Sequence, residues 1–70
     1  VTLAEQVGRN CAEARKRVGL SQMQLTRLLP MAQQDISRLE CGRHCPQLPT
    51  LLRVARALGV PLTDLLDGIE

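Results

Sequence analysis

The sequence predicts an all-α fold, a compact set of five short helices. Three observations carry this. Apolar residues recur three and four apart along the chain, and no stretch alternates with the period of two that a half-buried strand needs. Two capping-box signatures, Thr2-x-x-Glu5 and Ser21-x-x-Gln24, mark helix starts. Gly19, Pro30, Gly42, Gly59 and Gly68 fall where helices must stop. The 70 residues allow one small domain spanning 1–70, burying only about 60% of the surface its unfolded chain exposes.

The first helix runs from the Thr2 cap to Gly19. Leu3, Val7, Cys11, Ala14 and Val18 form its apolar stripe, with Arg9, Glu13, Lys16 and Arg17 opposite. The second, short helix begins at Ser21, turns Leu25 and Leu29 inward and stops at Pro30. The third covers Gln33 to Cys41 with Ile36 and Leu39 as its buried pair, and Gly42 lies just past its end. The fourth spans Leu48 to Leu58, with Leu48, Leu51, Leu52, Ala55 and Leu58 expected on one buried face; Pro49 sits in its first turn, where a missing N–H costs little. The fifth runs from Leu62 to Asp67 before Gly68. The second and third are too short to persist alone, so the others must pin them.

Composition narrows function. Hydrophobic residues make up 44% and charged residues 23%, a balance that argues for folding rather than disorder. No Phe, Trp or Tyr is present, which excludes recognition of RNA or single strands by stacking bases on aromatic rings. No uncharged stretch exceeds nine residues, too short to cross a bilayer, and no charged-then-apolar leader is read at the start; a soluble, cytoplasmic protein is expected. Cys11, Cys41 and Cys45 are an odd count, expected as reduced thiols. Cys41, His44 and Cys45 lack the second ligand pair of a zinc site, so neither a metal nor a cofactor is expected. No glycine-rich phosphate cradle or nucleophile-base pair supports an enzyme.

The net charge is only +2, but it is unevenly spread. Arg9, Arg15, Lys16, Arg17, Arg27, Arg38 and Arg43 outweigh Glu5, Glu13, Asp35 and Glu40 in residues 1–45. Beyond them Asp64, Asp67 and Glu70 outweigh Arg53 and Arg56. Such asymmetry fits an anionic partner on one side, and fits a mixed solvated surface as well. The spacing Ser21-Gln22-(x)2-Leu25-(x)3-Leu29-(x)6-Ile36-(x)2-Leu39-Glu40-x-Gly42 is that of a helix-turn-helix over 21–41. Burying Ile36 and Leu39 leaves Gln33, Gln34, Ser37 and Arg38 on other faces, with the glutamines in the first turn, the end that enters the major groove in this motif. A glutamine amide matches adenine N6 and N7, and Arg38 suits guanine or phosphate.

From Leu20 to Gly42, then at Pro46 and from Leu51 to Leu66, the chain resembles the Cro/CI-like (XRE-type) helix-turn-helix family that includes lambdoid phage repressors. The most specific pieces are Leu20-Ser21-Gln22, Ile36-Ser37-Arg38-Leu39-Glu40-x-Gly42, Pro46 and Ala55-x-x-Leu58-Gly59-Val60. The resemblance implies a lambda-repressor-like fold whose third helix reads DNA through Gln33 and Gln34. It also implies that Gln22 contacts phosphate and buttresses the first recognition glutamine, that Arg43 contacts phosphate, and that Arg15 and Glu40 form an internal salt bridge. Double-stranded DNA is the implied partner, bound by a homodimer on a palindrome. The apolar tail Val60, Leu62, Leu65, Leu66 and Ile69 is assigned partly to the core and partly to the two-fold interface.

Departures from the family pattern set local expectations. Pro30 stands where the turn usually has glycine, so the turn must dispense with a positive φ. Thr26 replaces an alanine, and Ala32 replaces the usual Ser or Thr cap, a loss of about 1 kcal/mol that Asp35 in the first turn partly offsets. Met23 and Leu28 are apolar where the family is polar. They keep open a second reading, a protein-interaction module (antitoxin-like or coactivator-like) on the same fold.

Overall fold

The computed structural model describes residues 1–69; Glu70, counted above in the acidic end, lies outside the described residues. Five helices follow in order: α1 (Leu3–Val18), α2 (Gln22–Leu25), α3 (Gln33–Glu40), α4 (Leu48–Leu58) and α5 (Leu62–Leu65). Both capping boxes form. The Thr2 Oγ1 accepts from the Glu5 N–H at 3.1 Å while the Thr2 N–H donates to Glu5 Oε1 at 2.9 Å. That donation holds the Glu5 carboxyl below its ordinary range. Ser21 and Gln24 repeat the exchange at 3.0 and 2.8 Å. α2 ends at Leu25 rather than at Pro30, the chain going on in single turns through Arg27 N–H to Gln24 O and Leu28 N–H to Leu25 O. α3 ends one residue before the expected Cys41, which serves as its cap, and α5 is shorter than expected, its last residues forming single turns through Leu66 N–H to Thr63 O and Ile69 N–H to Leu66 O.

The turn between α2 and α3 shows how Pro30 is accommodated. No residue in it takes a positive φ. Instead the Met31 N–H donates to the Leu29 carbonyl at 2.8 Å, an inverse γ-turn whose central position wants the φ that proline fixes. The Thr26 hydroxyl turns back onto the Met23 carbonyl. Ala32 provides no side-chain cap, as expected.

The core combines Val7, Cys11 and Ala14 with Leu25, Leu29, Ile36, Leu39, Leu51, Val54, Ala55, Leu58 and Leu65. α1 packs against α3, α4 and α5. Three expectations about burial need correction. Leu3 and Val18 lie on the stripe of α1 but are exposed: they are its first and last residues, while Val7, Cys11 and Ala14 between them are buried. On α4, Leu51, Val54, Ala55 and Leu58 are buried while Leu48 and Leu52 are exposed. At 100° per residue the buried arc centres between Leu51 and Leu58, leaving Leu48 about 70° and Leu52 about 110° away. In the tail, Leu65 is fully buried and so belongs wholly to the core; Val60, Leu62 and Ile69 are half-buried and Leu66 is exposed.

Two residues fix α1 on its neighbours, and neither stood out in the sequence. A Cβ added to Gly8 would sit 2.3 Å from the Leu39 carbonyl oxygen and 2.8 Å from that of Glu40, so the glycine lets α1 and α3 cross at backbone contact. Asn10, buried, donates from Nδ2 to the carbonyls of Leu65 (3.1 Å) and Asp67 (2.7 Å) and accepts from Gln6 Nε2 at 3.1 Å.

Candidate nucleic-acid interface

α3 is amphipathic in a way that leaves work for its polar side. Ile36 and Leu39 are buried against the core, while Gln33, Gln34 and Arg38 are exposed and Ser37 half-buried. The helix closes in a Schellman turn: the Gly42 N–H donates to Leu39 O and the Arg43 N–H to Arg38 O, each at 3.2 Å. Gly42 adopts φ 74°, and a Cβ there would also lie 2.6 Å from Glu5 Cα, so both backbone shape and packing demand glycine. The turn sends Arg43 back alongside α3.

The six side chains expected to meet DNA come together. Gln22, Gln33, Gln34, Ser37, Arg38 and Arg43 line one open concavity of about 540 Å³, with Cys41 as its seventh member. Its lining carries two guanidinium groups and no carboxylate. Among the described residues, the side chains of Gln33, Gln34, Ser37, Arg38 and Arg43 have no hydrogen-bond or ion-pair partner within the chain. Their donors and acceptors are unspent. Asp35 faces elsewhere, in a separate concavity with His44, Cys45 and Pro46, which fits a dipole-compensating residue. Cys41, expected only as a reduced thiol, was not placed at this surface; its register, one turn beyond Ser37, is the signal that puts it there.

Behind the concavity, Arg15 and Glu40 form the expected pair. Arg15 Nε reaches Glu40 Oε2 at 2.7 Å and Nη2 reaches Oε1 at 3.0 Å, a bidentate bridge that is nearly buried. Its hydrogen bonds to the Glu40 carboxylate hold the Arg15 guanidinium further toward its charged form. Gln22 departs from expectation. Its Nε2 donates to Glu40 Oε1 at 2.9 Å, so its hydrogen-bond partner here is Glu40 rather than Gln33. Arg17 and Asp64, 3.9 Å apart on the surface, contribute little.

Cys11 is buried, which pushes its thiol up to about 12, whereas Cys41 and Cys45 are exposed. No group of three or more His, Cys, Asp or Glu able to hold a metal occurs among the described residues. Nor, among them, is any helix long and apolar enough to cross a membrane.

A family described as a helix-turn-helix domain matches residues 6–67. The chain belongs to that family. Its relatives agree. It is 40% identical over 64 residues to the helix-turn-helix-type transcriptional regulator y4dJ of Sinorhizobium fredii, covering 91% of this chain and 83% of that protein. It is 45% identical over 47 residues to a helix-turn-helix-type transcriptional regulator of Methanothermobacter thermautotrophicus, covering 67% and 68%. Among solved structures, the restriction-modification controller protein C.AhdI from Aeromonas hydrophila superposes with a TM-score of 0.82 at 27% identity, over 89% of this chain and 94% of that one. This helix-turn-helix protein is therefore a DNA-binding transcriptional regulator, in a family of regulators and not of enzymes.

Proposed function

We propose that this helix-turn-helix protein reads double-stranded DNA by laying the first turn of α3 in the major groove, as a homodimer on a palindromic operator, and represses by occupying it. Gln33 and Gln34 contact base edges there. Arg38 and Ser37, further along the helix, contact a base or the backbone, and Gln22 and Arg43 hold phosphates on either side. The observation that carries this reading is the convergence of all six side chains on one concavity with only positive charge, all but Gln22 without a hydrogen-bond partner among the described residues. One such domain reads few base pairs, so two copies bind half-sites about one helical turn apart. Exposed Leu66, with half-buried Val60, Leu62 and Ile69, supplies the apolar surface for the two-fold contact.

Selection of bound sequences from a random duplex pool tests this directly. The expected product is a palindrome with half-site centres about ten base pairs apart. No enrichment at moderate salt overturns the base-reading role and favours the alternative, a protein-interaction module whose exposed Met23 and Leu28 meet a partner protein. Thiol chemistry gives an independent check. A bulky maleimide at pH 8 should label Cys41 and Cys45 but spare Cys11. Bound operator should protect Cys41 and leave Cys45 reactive, since only Cys41 lines the concavity.

A further inference from the structure

One member of the concavity is tied to the core. Glu40 Oε1 accepts from both Gln22 Nε2 (2.9 Å) and Arg15 Nη2 (3.0 Å), and Glu40 Oε2 accepts from Arg15 Nε (2.7 Å). Arg15 Nη1 donates to the Leu20 carbonyl at 2.7 Å, so the guanidinium is anchored on two sides. The side chains of Arg15 and Glu40 retain only 11% and 7% exposure. An ionised carboxylate accepts hydrogen bonds and cannot donate them. The Gln22 amide therefore has one allowed direction, with its NH2 toward Glu40. Reversed, it would press a carbonyl oxygen against a carboxylate oxygen. Amide direction is often ambiguous, but here the partner decides it.

We propose that Glu40 is a positioning residue for DNA recognition, acting through Gln22: the buried Arg15–Glu40 pair fixes the Gln22 amide so that its carbonyl oxygen and its remaining N–H face the DNA site in one set arrangement. The inference rests on the DNA-reading role proposed above. The carbonyl oxygen, held at the edge of the concavity, is left as an acceptor of fixed direction for a donor on the DNA, which a freely turning amide would not present. The remaining Gln22 N–H stays available to a phosphate oxygen. An ion pair that joins α1 to α3 thereby also orders a side chain of the reading surface.

A double-mutant cycle separates this from a purely structural role. Glu40→Gln keeps size and the ability to accept from Arg15 but allows either amide direction at Gln22. Gln22→Met keeps length, removes both polar ends and leaves the ion pair in place. Affinities are measured for the selected duplex and a scrambled one, with the folded fraction of each variant set from denaturant titration. Glu40→Gln is expected to weaken the selected duplex about tenfold and the scrambled one less than twofold. In the Gln22→Met background the same change should cost less than twofold on either duplex. Equal losses on both duplexes, or the same loss with and without Gln22, overturn the proposal.

A DNA-free readout covers a Glu40→Gln variant too unstable to assay. The Gln22 side-chain amide protons in the wild type should give NMR signals shifted from those of a free glutamine and slowed in exchange. An unshifted, fast-exchanging pair overturns the proposal. A wild type without sequence preference removes both readings, whereas preference with additive variants removes this one alone.

Discussion

α1 carries a polar anchor in each half, and the two are used differently. Arg15 holds Glu40 of α3, and through Glu40 the network continues outward to Gln22 in the concavity. Asn10 holds the carbonyls of Leu65 and Asp67, and its own oxygen is taken by Gln6. The second anchor ends in backbone and closes the C-terminal turns onto α1. The first stands in series with a surface whose hydrogen-bonding groups are unspent. Both fasten the fold, but only the Arg15 side connects folding to binding, and substitutions at the two anchors should separate accordingly.

Arg15→Ala is the severest test. It strands Glu40 as an unpaired charge at a nearly buried position, and the expected loss is about 3–5 kcal/mol of folding free energy. In a domain of this size that consumes much of the stability. Denaturant titration should show the loss, and DNA binding should disappear with the folded fraction. A stable Arg15→Ala protein would mean the pair is dispensable and the contrast between the anchors false. Asn10→Ala leaves two carbonyls without their donor and should cost about 1–3 kcal/mol. Its selected DNA sequence should match that of the wild type. A changed preference would mean the C-terminal turns act on the reading surface after all.

How much of this was legible before the structure differs along the same line. Helix starts and the glycine stops were, because their signals are local: Thr2 and Ser21 cap, and Gly19, Gly42 and Gly59 take positive φ where expected, whereas α2 and α5 end short of Pro30 and Asp67. The arc of α4 that faces inward was not. Periodicity places Leu48, Leu52 and Val54 at register positions, but the neighbouring helices choose Val54 and turn the two leucines outward. Gly8 carried a faint signal, a glycine inside a helix, where it costs about 1 kcal/mol without a packing reason. Asn10 gave none, since its partners lie 55 and 57 residues away. In the concavity, Gln33, Gln34, Ser37 and Arg38 follow from the exposed positions of one motif, Gln22 and Arg43 came only with the family resemblance, and Cys41 was not foreseen. The link from Gln22 to Glu40 depends on how α2 meets the end of α3, which spacing alone leaves open.

Within the reading surface, base contact and phosphate contact should come apart. Gln33→Ala should cost about 1–3 kcal/mol on the selected sequence and relax preference at one base position. Arg43→Ala should weaken all duplexes alike and reduce the slope of log affinity against log salt by about one. Salt-titrated binding of both variants to selected and scrambled duplexes measures each. Gln33→Ala losing equally on the two duplexes would place that glutamine among the backbone contacts.

The smallest effect concerns the start of α3. Ala32 occupies the cap position with φ −70° and ψ 153°, the extended geometry a capping residue needs, yet it has no side-chain acceptor. The Asp35 N–H turns instead to the Ala32 carbonyl at 3.0 Å, three residues back. Ala32→Ser places a hydroxyl oxygen where it accepts from that N–H without moving the backbone. The expected gain is about 1 kcal/mol, a rise in Tm of about 4–8 °C for a domain of this size. Because Ala32 immediately precedes Gln33, a firmer first turn should also tighten specific binding slightly while leaving the preferred sequence as it was. No gain in Tm would mean that the backbone bond to Ala32 and the Asp35 carboxylate already stabilise the first turn, and that the missing cap costs α3 nothing.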